Sequence, residues 1–189
     1  MRYLALGDSY TIGTGASSDD HAWPSIIARR LGLDLTNPAV NGYTTEDLIR
    51  NELPLFRRMR PDVVSVLIGV NDLVQGRTLE QYRRSLVRIY DEVRSSRVVA
   101  VSIPTWSYVP AAAGFGGPHQ VQRLTHAFNQ VAHDEALARG FTWTDLGPAS
   151  TSGIGTKGWI ASDHLHPGDA QYAAWAEAIL PGFHGLTGT

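Results

Sequence analysis

Four short stretches of this 189-residue sequence carry side chains suited to one kind of chemistry. Ser9 stands in Gly7-Asp8-Ser9-Tyr10, Gly42 in Asn41-Gly42, Asn71 in Gly69-Val70-Asn71-Asp72, and Asp163 and His166 in Asp163-His164-Leu165-His166-Pro167. A serine hydroxyl attacks a carbonyl once an imidazole takes its proton. An aspartate three residues before a histidine can accept its Nδ1–H, fix the tautomer and stabilise the imidazolium, leaving Nε2 for the serine. Ser9, His166 and Asp163 then form a catalytic triad. Backbone N–H groups of Ser9 and Gly42 and the side-chain amide of Asn71 supply three donors for the oxyanion. Taken singly, each piece has an ordinary reading: Ser9 and Asn71-Asp72 as helix caps, Gly42 as a turn glycine, Asp-x-x-His as chance.

Their joint value depends on a fold that gathers them. Short apolar runs at 3–6, 34–36, 63–68, 98–102 and 141–144 read as strands, and the third and fourth are β-branched nearly throughout, as strands buried on both faces are. Amphipathic segments at 23–31, 45–53, 79–94, 121–139 and 170–180 read as helices. In the third of these, Thr78 and Gln81 are placed for a capping box, and arginines 83, 84 and 88 lie off the apolar stripe on a solvated face. Pro167 suits a first helical position. Alternating strands and helices predict a single α/β domain over residues 1–189, with a five-stranded parallel, flavodoxin-like sheet of order 2-1-3-4-5. Ligands of such sheets bind beyond the carboxyl ends of the strands, around the switch point between strands 1 and 3. Ser9, Gly42 and Asn71 follow strands 1, 2 and 3.

Composition removes competing chemistries. The chain has no cysteine, so it has no disulfide, thiolate metal site or thiol nucleophile; its one lysine, Lys157, belongs to no phosphate-cradling loop. Sixteen basic against eighteen acidic residues give no footprint for nucleic acid. No apolar run is long enough for a transmembrane segment, and no signal peptide is evident, so the chain reads as cytoplasmic. A metal-dependent hydrolase would have only Asp163, His164 and His166 to hold its ion, which lack a further ligand set. A non-catalytic flavodoxin-like binding module also fits the strand count. A phosphate-accepting receiver, however, would need an acidic cluster and a lysine after the last strand, and Asp8 is followed here by Ser9.

The four stretches resemble the motif blocks of the SGNH hydrolases, also called GDSL esterases and lipases: Gly7-Asp8-Ser9, the glycine of Asn41-Gly42, Gly69-Val70-Asn71-Asp72 and Asp163-His164-Leu165-His166. The resemblance runs from residue 3 to about 180. It implies a three-layer α/β/α sandwich, a Ser9–His166–Asp163 triad, an oxyanion hole from Ser9, Gly42 and Asn71, and hydrolysis of small-molecule esters with no cofactor and no metal. The segment Ile103-Pro104-Thr105-Trp106-Ser107 looks loosely like that of small bacterial acylhydrolases of the lysophospholipase and arylesterase type. Short acyl or aryl esters are the expected substrates, with lysophospholipids, thioesters and sugar acetates as alternatives on the same machinery. Trp106, Tyr108, Phe115 and Trp159 are candidates for the substrate pocket wall, from the irregular Gly- and Pro-rich stretch 105–120 and the segment before Asp163. Trp23, Trp143 and Trp175 are assigned to the core, and His126 and His133 to the surface.

Overall fold

The computed structural model describes residues 1–184. Five strands, β1 (Arg2–Gly7), β2 (Asp34–Thr36), β3 (Val63–Leu67), β4 (Arg97–Val101) and β5 (Thr142–Thr144), form one parallel sheet in the order β2-β1-β3-β4-β5. That is the expected order, with the switch point between β1 and β3. Tyr3, Leu4, Ala5 and Leu6 in β1 and every residue of β3 are buried, so the central strands are covered on both faces, which is why they read as continuous apolar runs. The exception, Ser65, is satisfied by the Tyr3 hydroxyl at 2.8 Å.

Helices supply the two covering layers. On one side α2 (Trp23–Leu31) packs with α9 (Asp169–Ile179); on the other α3 (Thr45–Asn51), α6 (Leu79–Val93) and α7 (Pro118–Leu137) lie side by side. α6 buries Tyr82, Leu86, Ile89 and Val93 and carries the expected Thr78–Gln81 capping box, while Leu79 at its start is exposed. Arg84 pairs with Glu80, but Arg83 reaches across to Glu135 of α7 at 2.6 Å. The helix expected over 45–53 ends at Asn51, and a further helix not expected from the sequence, α4 (Leu53–Met59), starts with Pro54 in its first turn, where its missing N–H costs nothing. Pro167 does not begin the last helix, as expected of it. It pairs as an isolated antiparallel bridge with Ile160, and α9 starts two residues later behind Gly168. Trp23 and Trp175 are fully buried, and Trp143 is partly so. Among the described residues, no helix is long and apolar enough to cross a membrane.

Candidate active site

β1 delivers Ser9. The strand ends at Gly7, Asp8 caps the short helix α1 (Ser9–Ile12) by accepting the Tyr10 N–H at 3.0 Å, and Ser9 is its first residue. A Cβ at Gly7 would overlap the Thr11 hydroxyl and the Leu67 carbonyl of β3, so only glycine lets the turn lie this close to the neighbouring strand. Ser9 is 6% exposed and opens into a small cavity of about 80 Å³ that it shares with His166.

His166 arrives from the opposite end of the chain on a tight hairpin. The Ile160–Pro167 bridge closes it, Ala161 N–H donates to the His166 carbonyl at 2.8 Å, and His164 takes a left-handed conformation (φ 62°) that folds the tip. The two Asp163 oxygens divide the work. Oδ1 accepts the N–H groups of Leu165 and His166, both at 2.9 Å, which locks the turn, and Oδ2 faces His166 Nδ1 at 2.6 Å. Partial burial opposes ionisation of Asp163, but the hydrogen bonds from His166 and Leu165 outweigh it and hold the carboxyl below its ordinary range. The imidazole is also steadied edge-on by Tyr10, with ring centroids 5.9 Å apart. Two further ties clamp the chain ends together: Tyr172 of α9 donates to the Thr14 carbonyl at 2.8 Å, and Asp169 accepts from the Ser17 N–H and hydroxyl.

Asn71 sits in the first turn of α5 (Val70–Val74), after β3. Its amide nitrogen donates to the Tyr43 carbonyl at 2.9 Å and lies 3.4 Å from Asp8 Oδ2. It therefore bonds the neighbour of Gly42 and the neighbour of Ser9, joining the three loops that carry the expected oxyanion donors. Gly42 has φ 81°, a backbone conformation that side chains disfavour, in a turn whose outer side is open. The far end of the Gly42 loop is fixed by fully buried Asp72, which accepts the Thr45 N–H at 2.8 Å and its hydroxyl at 2.6 Å. Burial raises the Asp72 carboxyl against these bonds and the neighbouring Arg77. Asp8 is likewise fully buried. Loss of hydration, reinforced by the charge of Asp72, pushes it up to about 7 despite the Tyr10 N–H. Sequence reasoning gave no role to Asp8 or Thr45; the only sign of them was the acid and hydroxyl flanking the motif residues.

The four aromatic candidates separate. Trp106 and Phe115, packed edge to face with centroids 5.5 Å apart, line the cavity with Val70, Val74 and Leu165. Tyr108 and Trp159 do not line it. The Trp159 indole N–H donates to the Tyr108 hydroxyl at 3.1 Å, Tyr108 donates to the Ser150 carbonyl of α8 (Gly147–Thr151) at 2.7 Å, and Gln171 closes this largely buried knot. Polar tips that need buried partners explain why these two rings are spent on tying loops together. The stretch 105–120 is not irregular throughout: it contains a 3-10 turn at Pro110–Phe115 before α7.

This topology and this gathering of motifs describe a hydrolase built on a three-layer α/β/α sandwich with a flavodoxin-like parallel sheet. Residues 5–174 match the GDSL-like Lipase/Acylhydrolase family, and the chain belongs to it as a carboxylic ester hydrolase. It is 22% identical over 188 residues to Esterase TesA of Pseudomonas aeruginosa, covering 94% of this chain and 85% of that protein. Its fold is similar to the lipase/acylhydrolase from Enterococcus faecalis (TM-score 0.79, 22% identity, 98% of this chain and 96% of that one). It is also similar to a G-D-S-L family lipolytic protein from Veillonella parvula (TM-score 0.80, 17% identity, 98% and 99% covered). Membership in an enzyme family disposes of the non-catalytic binding module.

Proposed function

We propose that the chain is a single-domain serine esterase acting on short acyl or aryl esters, with Ser9 as nucleophile, His166 as general base and acid, and Asp163 as its orienting partner. The observation that carries this reading is the pairing of Asp163 with His166 Nδ1 at 2.6 Å on the wall of the cavity into which Ser9 opens. With Nδ1 engaged, Nε2 is the imidazole nitrogen left for the serine proton. Ser9 Oγ attacks the ester carbonyl as His166 takes its proton. The oxyanion is received by the Ser9 and Gly42 N–H groups and the Asn71 amide, His166 returns the proton to the departing alcohol, and water repeats the sequence on the acyl-enzyme. Of the two Asn71 amide hydrogen bonds, the 3.4 Å contact to Asp8 is the weaker, and it is the one with which an oxyanion would compete.

Cavity size supports the short acyl group. At about 80 Å³ the cavity is small for a ligand pocket, for which roughly 300 to 1,000 Å³ is usual. Its walls, Val70, Val74, Trp106, Phe115 and Leu165, suit hydrocarbon. The test is hydrolysis of p-nitrophenyl esters from acetyl to palmitoyl by wild type and Ser9→Ala. Acetyl to butyryl esters are expected to give the highest kcat/KM and Ser9→Ala to be inactive. An active Ser9→Ala refutes the nucleophile, and a palmitoyl optimum refutes the size argument.

A further inference from the structure

Glu52 joins α3 to α4 and is 1% exposed, yet the catalytic scheme gives it no task. Its Oε2 accepts the Gly7 N–H at 3.0 Å, at the end of β1 and two residues before Ser9. Its Oε1 is buried without a partner. None of the ion pairs among the described residues involves it. The charged group that faces it is Asp8, on the same turn as Ser9, with Asp72 behind Asp8. The turn it holds lies close against β3, since a Cβ added at Gly7 would overlap the Thr11 hydroxyl and the Leu67 carbonyl. We infer that Glu52 is a positioning residue for the nucleophile, holding the β1–α1 turn through the Gly7 N–H, and that it does so as the neutral acid.

The Gly7 hydrogen bond by itself favours a carboxylate. One such bond does not replace the hydration of a buried carboxylate whose second oxygen has no donor and whose neighbour is another acid. Burial therefore dominates and pushes Glu52 up to about 8. Ionisation above that pH leaves Oε1 to be hydrated or the carboxyl to swing away. Either response loosens Gly7 and, with it, the placement of Ser9 against His166.

This inference rests on Ser9 being the nucleophile, so its test has one arm that uses turnover and one that does not. In the first, kcat and KM for p-nitrophenyl butyrate are measured from pH 5 to 10 for wild type, Glu52→Gln, Glu52→Ala and Asp8→Asn. Wild-type kcat is expected to fall at least fivefold between pH 7.5 and 9.5 with KM little changed. Glu52→Gln, which keeps an acceptor for Gly7 and cannot ionise, is expected to recover kcat at pH 7 relative to Glu52→Ala and to move the alkaline fall up by a pH unit or more. In the second arm, thermal unfolding is followed over the same pH range in Ser9→Ala with and without Glu52→Gln. The folded-state value lies above the unfolded one of 4.5, so the stabilisation is complete below pH 4.5 and is lost as pH rises through about 8. The Tm advantage of Glu52→Gln should therefore widen across that window. An alkaline limb unmoved by Glu52→Gln, or moved only by Asp8→Asn, overturns the inference, as does a Glu52→Ala with wild-type kcat at pH 7. If Glu52→Ala fails to fold, the Glu52→Gln limb and the unfolding arm decide. Turnover surviving in Ser9→Ala refutes the nucleophile alone, and the unfolding arm still tests the Gly7 anchor.

Discussion

Replacing Asn71 by alanine separates catalysis from stability with magnitudes that can be worked out beforehand. In the proposed mechanism the side chain does two things: it offers a hydrogen to the oxyanion, and, as the structure shows, it donates to the Tyr43 carbonyl at 2.9 Å. Loss of one oxyanion donor costs about 10²- to 10³-fold in kcat, roughly 2.7 to 4 kcal/mol. Loss of one neutral internal hydrogen bond costs about 0.5 to 1.5 kcal/mol of stability. For a chain of this length, each kcal/mol moves Tm by roughly 2 to 4 °C. Asn71→Ala should therefore unfold a few degrees lower while remaining fully folded at 25 °C, and should lose at least a hundredfold in kcat with KM within threefold. The assay is p-nitrophenyl butyrate turnover at 15 and 25 °C beside a calorimetric scan. Turnover within fivefold of wild type would remove Asn71 from the oxyanion hole. A deficit that disappears at 15 °C would mean that Asn71 acts only by holding the Gly42 loop.

Further outcomes are expected of three other positions. Asp163→Asn keeps an acceptor for the Leu165 and His166 N–H groups but presents the wrong partner to Nδ1. It should leave the Tm nearly unchanged and lower kcat by up to about 10⁴-fold, as measured by steady-state kinetics. Because the folded Asp163 lies below its ordinary range, its contribution to the hairpin is present above the unfolded value and lost as pH falls through the folded one. Hydrogen exchange of the Leu165 and His166 amides should therefore accelerate below about pH 4 after correction for intrinsic rates. Phe115→Ala removes an already exposed wall of the cavity, so the ratio of octanoyl to acetyl kcat/KM should rise severalfold with little change in Tm. Gly7→Ala forces a methyl group against Thr11 and the Leu67 carbonyl, and should cost about 1 to 3 kcal/mol in chemical denaturation and most of the turnover.

The sheet was legible because its strands are buried on both faces or bounded by turn residues, and a run such as Val63-Val64-Ser65-Val66 has few other destinations. The long helices were legible from their stripes. The helices that carry the site were not, since α1 and α5 span four and five residues, too short to show a period, and are defined by Asp8 and Gly69 at their starts. Pro167 misled because a proline before a helix and a proline in a hairpin rim look alike in sequence; only the pairing with Ile160 separates them. Aromatic content likewise marked the loops without saying which rings face a cavity. Trp106 and Phe115 do so, while Tyr108 and Trp159 are held by hydrogen bonds to each other, Ser150 and Gln171 that no spacing rule encodes. Glu52 was invisible for the same reason: an acid near the end of an expected helix reads as solvent-facing until a strand end is found against it.

The ties from Tyr172 to the Thr14 carbonyl and from Ser17 to Asp169 also bear on how the proposed site is lost. α9 follows directly on the hairpin that carries His166, and these bonds hold it against the segment behind Ser9. A local opening of α9 would part Ser9 from His166 while the sheet stays folded. Activity would then fail on heating before the fold does, with the gap between the two set by the docking of one helix.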